Sequence, residues 1–300
     1  MSAFRKSILA TLIIAINSLA IAQTDDADSL KMSALEALIS APPERALPIV
    51  SKVLSGDSSP ALKERALFIL SQIDLPEAQN QLVETARTGD TRLRLEAIRM
   101  IGIGGNPEAL AALGELYANG DGNTKEAVLE AYLIAGDEQA VYQIALNSQD
   151  PQDFENAVQM LGAMGATREL RELRDRPGSP GSGEALINAY AVAGDVESLI
   201  AMATDSSDPE RQVQAIHGLG IAGGSEVSNV LRNIYNGTDV EDVKEAALQG
   251  LLIAGDDQAV LELFRASDDA REKKKLLETL VMMDSDAVWD IIDSTLENGQ

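Results

Sequence analysis

The sequence contains no cysteine and only one histidine, His217, among its 300 residues. Without cysteine there can be no disulfide framework, no lipoprotein modification and no metal site built on thiolates. With one histidine, no acid–base or nucleophilic arrangement can be assembled from motifs. His217 itself follows apolar Ile216 near a predicted helix end, which favours a structural role. We therefore predict no catalytic residue, no metal ligand, no cofactor-binding residue and no cofactor.

Positive charge is also scarce, because 24 Lys and Arg stand against 48 Asp and Glu and leave a net charge of −24. A surface of that sign repels phosphate backbones, so nucleic acid is excluded as a partner and any electrostatic partner should be basic. Aromatic residues make up 3% of the chain, while 45% of it is hydrophobic. Small and aliphatic side chains therefore form the apolar stripes, as in closely stacked helices.

The only long apolar run lies at the N-terminus. Arg5 and Lys6 precede the run 8–16, and the small residues of Ala20-Ile21-Ala22 provide a cleavage site before Gln23. This order is typical of a secretory signal peptide, and the run is short for a membrane span. We predict a signal peptide over residues 1–22, export to the periplasm or beyond a bacterial cell, and no stable membrane insertion after cleavage; an uncleaved anchor is the alternative.

A G-x-G-x-x-G pattern at Gly218, Gly220 and Gly223 raises the possibility of a dinucleotide-binding turn. Such a turn needs a strand before the first glycine and a helix that opens at the last. Here Asp208-Pro209 is a helix start, and apolar residues then recur at helical spacing up to the glycines. The glycines therefore lie late in a helix, and a nucleotide site is disfavoured.

The phrase that holds this pattern is one copy of a repeat. Six similar phrases each end in a glycine, and the copies start about every 30 residues; those glycines are Gly105, Gly136, Gly165, Gly194, Gly223 and Gly255. Two weaker copies have Asp74 and Asp284 in the place of the glycine. Each glycine is predicted to end a first helix in the left-handed conformation, before a second helix begins. One such pair cannot bury both of its faces, so neighbouring pairs must stack.

The recurring phrases resemble the short HEAT-like repeats of bacteria, over about residues 30–298. The resemblance implies an all-α fold, a right-handed α-solenoid of stacked antiparallel helix pairs whose second helices line a concave, protein-binding surface. We therefore predict one repeat array over residues 23–300 with about eight to nine helix pairs. The glycine- and proline-rich stretch 176–183 reads as a long connection, with a hinge as the alternative.

Two kinds of metal site are alternatives to a purely structural role for the repeats. Some HEAT-like proteins are di-iron enzymes that bind metal through repeated His-Glu pairs, which one histidine cannot supply. A calcium loop of the EF-hand type would take its ligands from four positions, Asn119, Asp121, Asn123 and Glu130. Position six of that loop is Thr124 instead of glycine, and Thr124 reads as a helix N-cap. A simple connection between two repeats is the favoured interpretation.

Partner contact is predicted at one column of the second helices, one residue past the first core position. Its members of interest are Tyr142, Arg171, Ile200, Leu261 and Trp289. Tyr, Trp and Arg dominate binding hot spots, although packing between repeats is the alternative role for the column.

The function predicted from these observations is a non-enzymatic scaffold or adaptor of the bacterial cell envelope that binds a protein or peptide along its concave face. The alternatives are an enzyme or enzyme accessory without a recognisable motif, and a purely structural spacer.

Overall fold

The computed structural model describes residues 26–175 and 183–297, which form 18 α-helices and no strand within those ranges. The predicted signal peptide and nearly all of the stretch 176–183 lie outside the described residues. The helices fall into two compact units, divided between Ala135 and Gly136. No helix in the described ranges combines the length and the apolar character needed to cross a bilayer. The predicted all-α repeat fold is confirmed.

Seven helices belong to the described part of unit 1, together with a 3-10 turn over Ala37–Ser40. They are α1 (Asp26–Glu36), α2 (Pro43–Ser55), α3 (Pro60–Ser71), α4 (Pro76–Thr88), α5 (Thr91–Gly104), α6 (Pro107–Asn119) and α7 (Gly122–Ala135). Eleven helices belong to unit 2. They are α8 (Glu138–Asn147), α9 (Pro151–Met164), α10 (Thr167–Arg174), α11 (Gly183–Ala193), α12 (Val196–Ala203), α13 (Pro209–Ala222), α14 (Ser225–Gly237), α15 (Glu241–Ala254), α16 (Asp257–Ala266), α17 (Ala270–Met282) and α18 (Asp286–Glu297). The odd-numbered helices are the first helices of the repeats, and the even-numbered ones are the second helices.

The repeat glycines end the first helices as predicted. All six have positive φ angles, between 65° and 73°. At Gly165, for example, the left-handed conformation reverses the chain and lets the N–H groups of Gly165 and Ala166 bond carbonyls of the last helical turn. Asp284 takes the same conformation with φ of 52°, whereas Asp74 does not, because α3 has already ended at Ser71. The equivalence of Asp74 to the glycines is therefore wrong.

Many helices begin at an acidic cap. Asp90, Asp137, Asp150, Asp208 and Asp256 each accept a hydrogen bond from a backbone N–H in the first turn. A carboxylate there also stabilises the positive end of the helix dipole. Part of the negative charge of the chain therefore stabilises the N-terminal ends of its helices.

Glycine and alanine also set how closely the first helices pack. A Cβ atom on Gly102 would lie 2.7 Å from the Cα of Ala131, and one on Gly162 would lie 2.9 Å from the Cα of Ala189. Gly220 meets Gly250 in the same way, at 2.9 Å. In each case a glycine three residues before the repeat glycine lies against a small residue of the next first helix within the same unit.

These contacts explain the G-x-G-x-x-G pattern. Gly220 allows α13 to approach α15, Gly223 ends α13 with φ of 66°, and a Cβ on Gly218 would meet the side chain of Leu199 at 3.0 Å. All three glycines serve helix packing or helix termination, and the pattern lies in and just after α13 instead of between a strand and a helix.

Candidate functional site

The five side chains of the predicted second-helix column differ in how exposed they are to solvent. Leu261 on α16 is buried at 5% exposure, while Trp289 on α18 is 59% exposed. Tyr142 on α8, Arg171 on α10 and Ile200 on α12 are half-buried. A member as deeply buried as Leu261 packs inside the fold, so the five residues do not present one continuous surface.

Arg171 connects two repeats. Its Nε lies 2.8 Å and its Nη2 lies 2.6 Å from the carboxylate oxygens of Asp195, and Nη2 also donates to Glu197 at 2.9 Å. Asp195 is the N-cap of α12 and accepts further hydrogen bonds from the N–H and Oγ of Ser198. The guanidinium of Arg171 is thus committed to internal ion pairs, which favours packing over partner contact at this position.

The acidity of Asp195 reflects these contacts. Burial alone raises the pKa of the Asp195 carboxyl, but the hydrogen bonds from Arg171 and Ser198 outweigh it and bring the pKa below its usual value. The same ion pair raises the pKa of Arg171. Asp195 is therefore held as a charged carboxylate within the fold.

Trp289 is the exposed member of the column, and its substitution tests that exposure. We expect Trp289→Ala to change the free energy of unfolding by less than about 0.5 kcal/mol, because an exposed side chain leaves no cavity. Trp289 is also the only tryptophan of the chain, so intrinsic fluorescence reports on this one side chain. Its emission should resemble that of tryptophan in water and be quenched readily by acrylamide. A blue-shifted, protected emission together with a loss above about 1.5 kcal/mol would mean that the ring packs against a neighbour.

A second surface lies on the first helices of unit 2. Two residues before each repeat glycine, or before Asp284, stands an apolar residue that faces solvent: Val192 on α11, Ile221 on α13, Ile253 on α15 and Met282 on α17. Their exposures lie between 55% and 70%. We call these four residues the apolar row. Scattered apolar side chains are ordinary on a protein surface, but recurrence at one repeat position places these residues side by side.

The glycine contact fixes how neighbouring members of the row are placed. Gly220 lies against Gly250, so Ile221 and Ile253 are offset along the helix axes by only about two residues, or ~3 Å. The first helices α9, α11, α13 and α15 also lie closer to one another than the second helices do. Ile221 and Ile253 are therefore neighbours on one face.

Polar side chains accompany the row one helical turn earlier. Four residues before each apolar member stand Asn188, His217, Gln249 and Glu278, and eight residues before it stand Glu184, Val213, Glu245 and Lys274. Residues four apart lie above one another on a helix, so these sets form two further rows beside the first. We call them the polar row and the outer row.

The electrostatics of these rows are mainly negative. Glu184, Glu245 and Glu278 are exposed and lie on successive or alternate first helices. Lys274 on α17 reverses the sign at one end and lies 3.8 Å from Glu278. The Nε2 atom of His217 is buried and has no hydrogen-bond partner among the described residues.

A cleft of about 510 Å³ in unit 2 is lined largely by paired charges. Lys244 lies 2.8 Å from Glu272, and Lys275 pairs with Glu241. Hydrogen bonds from Lys244 and Ser267 lower the pKa of Glu272, while burial raises the pKa of Tyr235, which also bonds Glu272. These four charges pair with one another, so this part of the cleft is a packing contact between repeats.

The calcium-loop residues serve as helix ends. Asp121 accepts hydrogen bonds from the N–H of Thr124 at 2.9 Å and from its hydroxyl at 2.6 Å. Asp121 is therefore the cap of α7, and the prediction that Thr124 is the cap is wrong. Within the described ranges, no group of three or more His, Asp or Glu side chains is placed to hold a metal ion.

Sequence reasoning missed the apolar row, although the residues that form it were already aligned. Each repeat phrase carries an aliphatic residue two positions before its glycine, and the sequence analysis predicts no role for that position. Gly220, three positions before the repeat glycine Gly223, was an available signal for Ile221. A contact at that position turns the next residue away from the neighbouring helix and toward solvent.

Comparison with known proteins gives one match to a repeat family and matches to solved structures. Residues 47–133 match the model of the HEAT repeats family. Similar solved structures include human deoxyhypusine hydroxylase in complex with glycerol, which is 15% identical with a TM-score of 0.34 and covers 76% of this chain and 98% of that chain. The complex of CpcE and CpcF of phycocyanin lyase from Nostoc sp. is 20% identical with a TM-score of 0.33 and covers 81% of this chain and 94% of that chain. No curated protein matches in sequence.

Proposed function

We propose that this chain, whose residues 47–133 match the HEAT repeats and whose described residues form an all-α repeat fold, is a non-enzymatic scaffold of the bacterial cell envelope that binds another protein or peptide. The observation that carries the proposal is the apolar row of unit 2. A partner that covers these four large apolar side chains is stabilised by about 25 cal/mol for each Å² of apolar surface that it buries. Their placement on successive helices suits a partner that lies across the repeats.

The assignment to the cell envelope rests on the N-terminal pattern. Arg5 and Lys6, the apolar run 8–16 and the small residues before Gln23 support export through a cleaved signal peptide. A chain without cysteine is also indifferent to the oxidising conditions outside the cytoplasm.

The proposal that the chain is not an enzyme rests on how few cysteine and histidine side chains it has. It has no cysteine and one histidine, and that histidine lies in the polar row beside Gly218. The enzyme alternative predicts that the native protein carries a stoichiometric metal or turns over a small molecule. Elemental analysis of the protein purified from its native envelope separates the two: a bound metal ion at one equivalent would favour the enzyme.

The scaffold proposal predicts a binding loss from two surface substitutions. We expect the double variant Ile221→Ser, Ile253→Ser to lose about tenfold or more of its affinity for a captured envelope partner, because the apolar contact area disappears. Its circular dichroism should match that of the parent, since both side chains are largely exposed. The measurement is affinity capture followed by titration of the purified partner.

The matched control is Val240→Ser, which removes an exposed aliphatic side chain of unit 2 outside the row and should bind as the parent does. If the double variant binds every captured partner with unchanged affinity, the apolar row is not the binding surface. If no partner can be captured at all, the scaffold proposal itself fails.

A further inference from the structure

We propose that Asn119 is a site of spontaneous deamidation, at which water converts the side-chain amide of the folded protein to a carboxylate. The site lies in unit 1, where α6 connects to α7, and the inference goes beyond the scaffold function without depending on it. Four observations carry it: the Asn-Gly sequence, the exposure of Asn119, the N–H of Gly120 that bonds nothing, and the protection of similar pairs elsewhere in the described residues.

The reaction needs only a side-chain amide, the next backbone nitrogen and water. The nitrogen of Gly120, after losing its proton to solvent, attacks Cγ of Asn119; the Cγ–Nδ2 bond then breaks, and the amide nitrogen takes up a proton and leaves as ammonia. A water molecule opens the resulting succinimide ring at either of its carbonyl carbons, which gives aspartate or isoaspartate. A glycine in the second position favours ring closure, because it has no Cβ to obstruct the attack and its backbone is the most adaptable.

The end of α6 leaves both reacting groups accessible. Asn119 is the last residue of the helix, and its exposed side chain donates from Nδ2 to the carbonyl of Glu115 at 2.9 Å. Gly120 follows in an extended conformation, with φ of −83° and ψ of 161°. Its N–H has no hydrogen-bond partner among the described residues, whereas the N–H groups of Gly56 and Gly89, which end α2 and α4, each bond the carbonyl four residues earlier. The nitrogen that attacks is therefore not held by the helix.

Packing keeps a glycine after Asn119. A Cβ on Gly120 would lie 2.6 Å from the carbonyl oxygen of Leu116 and 2.7 Å from Cγ2 of Thr124. The carbonyl oxygen belongs to the backbone of α6 and cannot rotate away as a side chain would. Any asparagine that precedes Gly120 therefore meets an unhindered backbone nitrogen.

Asn147 is a natural control within the same chain. It is the exposed last residue of α8, and its Nδ2 donates to the carbonyl of Gln143 at 2.8 Å, as Asn119 donates to the carbonyl four residues before it. The next residue is Ser148, whose side chain obstructs the attack and whose N–H bonds the carbonyl of Ile144 at 3.0 Å. Asn147 thus has the same exposure and the same side-chain bond, but a nitrogen that is both hindered and bonded.

Two further pairs that end in glycine are protected in other ways. Asn236-Gly237 lies within α14, which ends only at Gly237, so the N–H of Gly237 belongs to the helical hydrogen bonds. Asp121-Gly122 could isomerise through the same ring, but the Asp121 carboxylate accepts hydrogen bonds from the hydroxyl and the N–H of Thr124, which lower its pKa. A carboxylate held in its charged form is a poor target for a backbone nitrogen.

Deamidation would weaken the start of α7. A carboxylate at position 119 lies at the C-terminal end of α6, where the helix dipole disfavours negative charge, and it can no longer donate to the carbonyl of Glu115. The isoaspartyl product also lengthens the backbone just before Asp121, whose bonds to Thr124 cap α7. The aged protein should therefore hold α6 and α7 together less firmly than the fresh protein.

The experiment follows the purified full chain as it ages in mildly alkaline buffer. Peptide mapping by mass spectrometry separates the sites, including the Asn-Gly pair at 298–299 outside the described residues. We expect Asn119 to react at least about tenfold faster than Asn147 or Asn236, which corresponds to about 1.4 kcal/mol in activation free energy. In urea that unfolds the chain, Asn236 should react as fast as Asn119, while Asn147 should stay slower because serine follows it.

Two variants connect the modification to stability. Ageing should lower the urea midpoint of unfolding in the parent and in the control Asn236→Gln, but not in Asn119→Gln, because the longer glutamine side chain closes the ring far more slowly. Asn119→Gln should have the circular dichroism of the parent, since the side chain is exposed. Equal rates at Asn119 and at either Asn147 or Asn236 in the folded protein overturn the inference. A midpoint that stays constant while Asn119 is modified overturns the effect on α7.

Discussion

Replacing Asp195 with Ala is expected to lower the free energy of unfolding by about 3 kcal/mol. The substitution removes the N-cap of α12, which is worth about 1 kcal/mol, and breaks an ion pair whose carboxylate is almost wholly buried. Because Arg171 remains about 40% exposed, water can still solvate part of the abandoned guanidinium, and the loss falls short of that for a fully buried pair. Urea denaturation followed by circular dichroism measures the change.

The matched control is Asp256→Ala. Asp256 caps α16 by accepting a hydrogen bond from the N–H of Ala259 at 2.9 Å, in the same position of its repeat as Asp195. It has no described ion pair, so its replacement should cost only the cap, about 1 kcal/mol. Equal losses in the two variants would show that Arg171 adds nothing to the stability of the fold.

The same carboxylate gives the stability a defined dependence on pH. The pKa of Asp195 is lowered in the folded state, so its contribution is fully present above its unfolded pKa of about 3.9 and is lost as pH falls through the folded pKa. The difference in stability between the parent and Asp195→Ala should therefore be constant near neutral pH and shrink below about pH 4. A difference that grows on acidification would contradict the charged state assigned to Asp195.

Replacing Gly102 with Ala is expected to destabilise unit 1 by about 2 kcal/mol, even though alanine is the better helix former. The added Cβ would lie 2.7 Å from both the Cα and the carbonyl oxygen of Ala131, and backbone atoms cannot rotate away. Overpacking of this kind costs about 1–3 kcal/mol. Thermal and urea unfolding both measure the effect.

Gly114→Ala is the control for that substitution. Gly114 lies in the middle of α6, and a Cβ there would meet only the hydroxyl of Tyr132 at 3.9 Å, which is ordinary contact. The gain in helix propensity should then stabilise the unit by about 0.5–1 kcal/mol. Changes of the same sign in both variants would refute the close approach of α5 and α7.

Much of the fold follows from features that are local in the sequence. The Asp-Pro start of α13 and the positive φ of Gly223 at its end depend on backbone chemistry within a few residues, so they could be predicted without a structure. The error at Thr124 is also local: Asp121, three residues earlier, accepts the hydrogen bond from the N–H of Thr124, so the helix begins before Thr124.

The candidate site depended on contacts between repeats, which sequence spacing alone does not supply. Arg171 has the residue type of a binding hot spot, but its guanidinium is taken up by Asp195, 24 residues later. Leu261 and Trp289 share one repeat position, yet Leu261 is 5% exposed and Trp289 is 59% exposed. The exposure of Ile221 likewise depends on how closely Gly220 lets α15 approach.

The recurring glycine contact between first helices has an evolutionary consequence. Gly102 with Ala131, Gly162 with Ala189, and Gly220 with Gly250 are the same junction made three times. Each junction takes one residue from a repeat and one from its successor, and the successor has Leu133, Ala191 or Leu252 where the first repeat has its contact glycine. Duplication of two successive helix pairs within a unit would therefore copy a complete junction, so the gene could lengthen by recombination in steps of about two repeats.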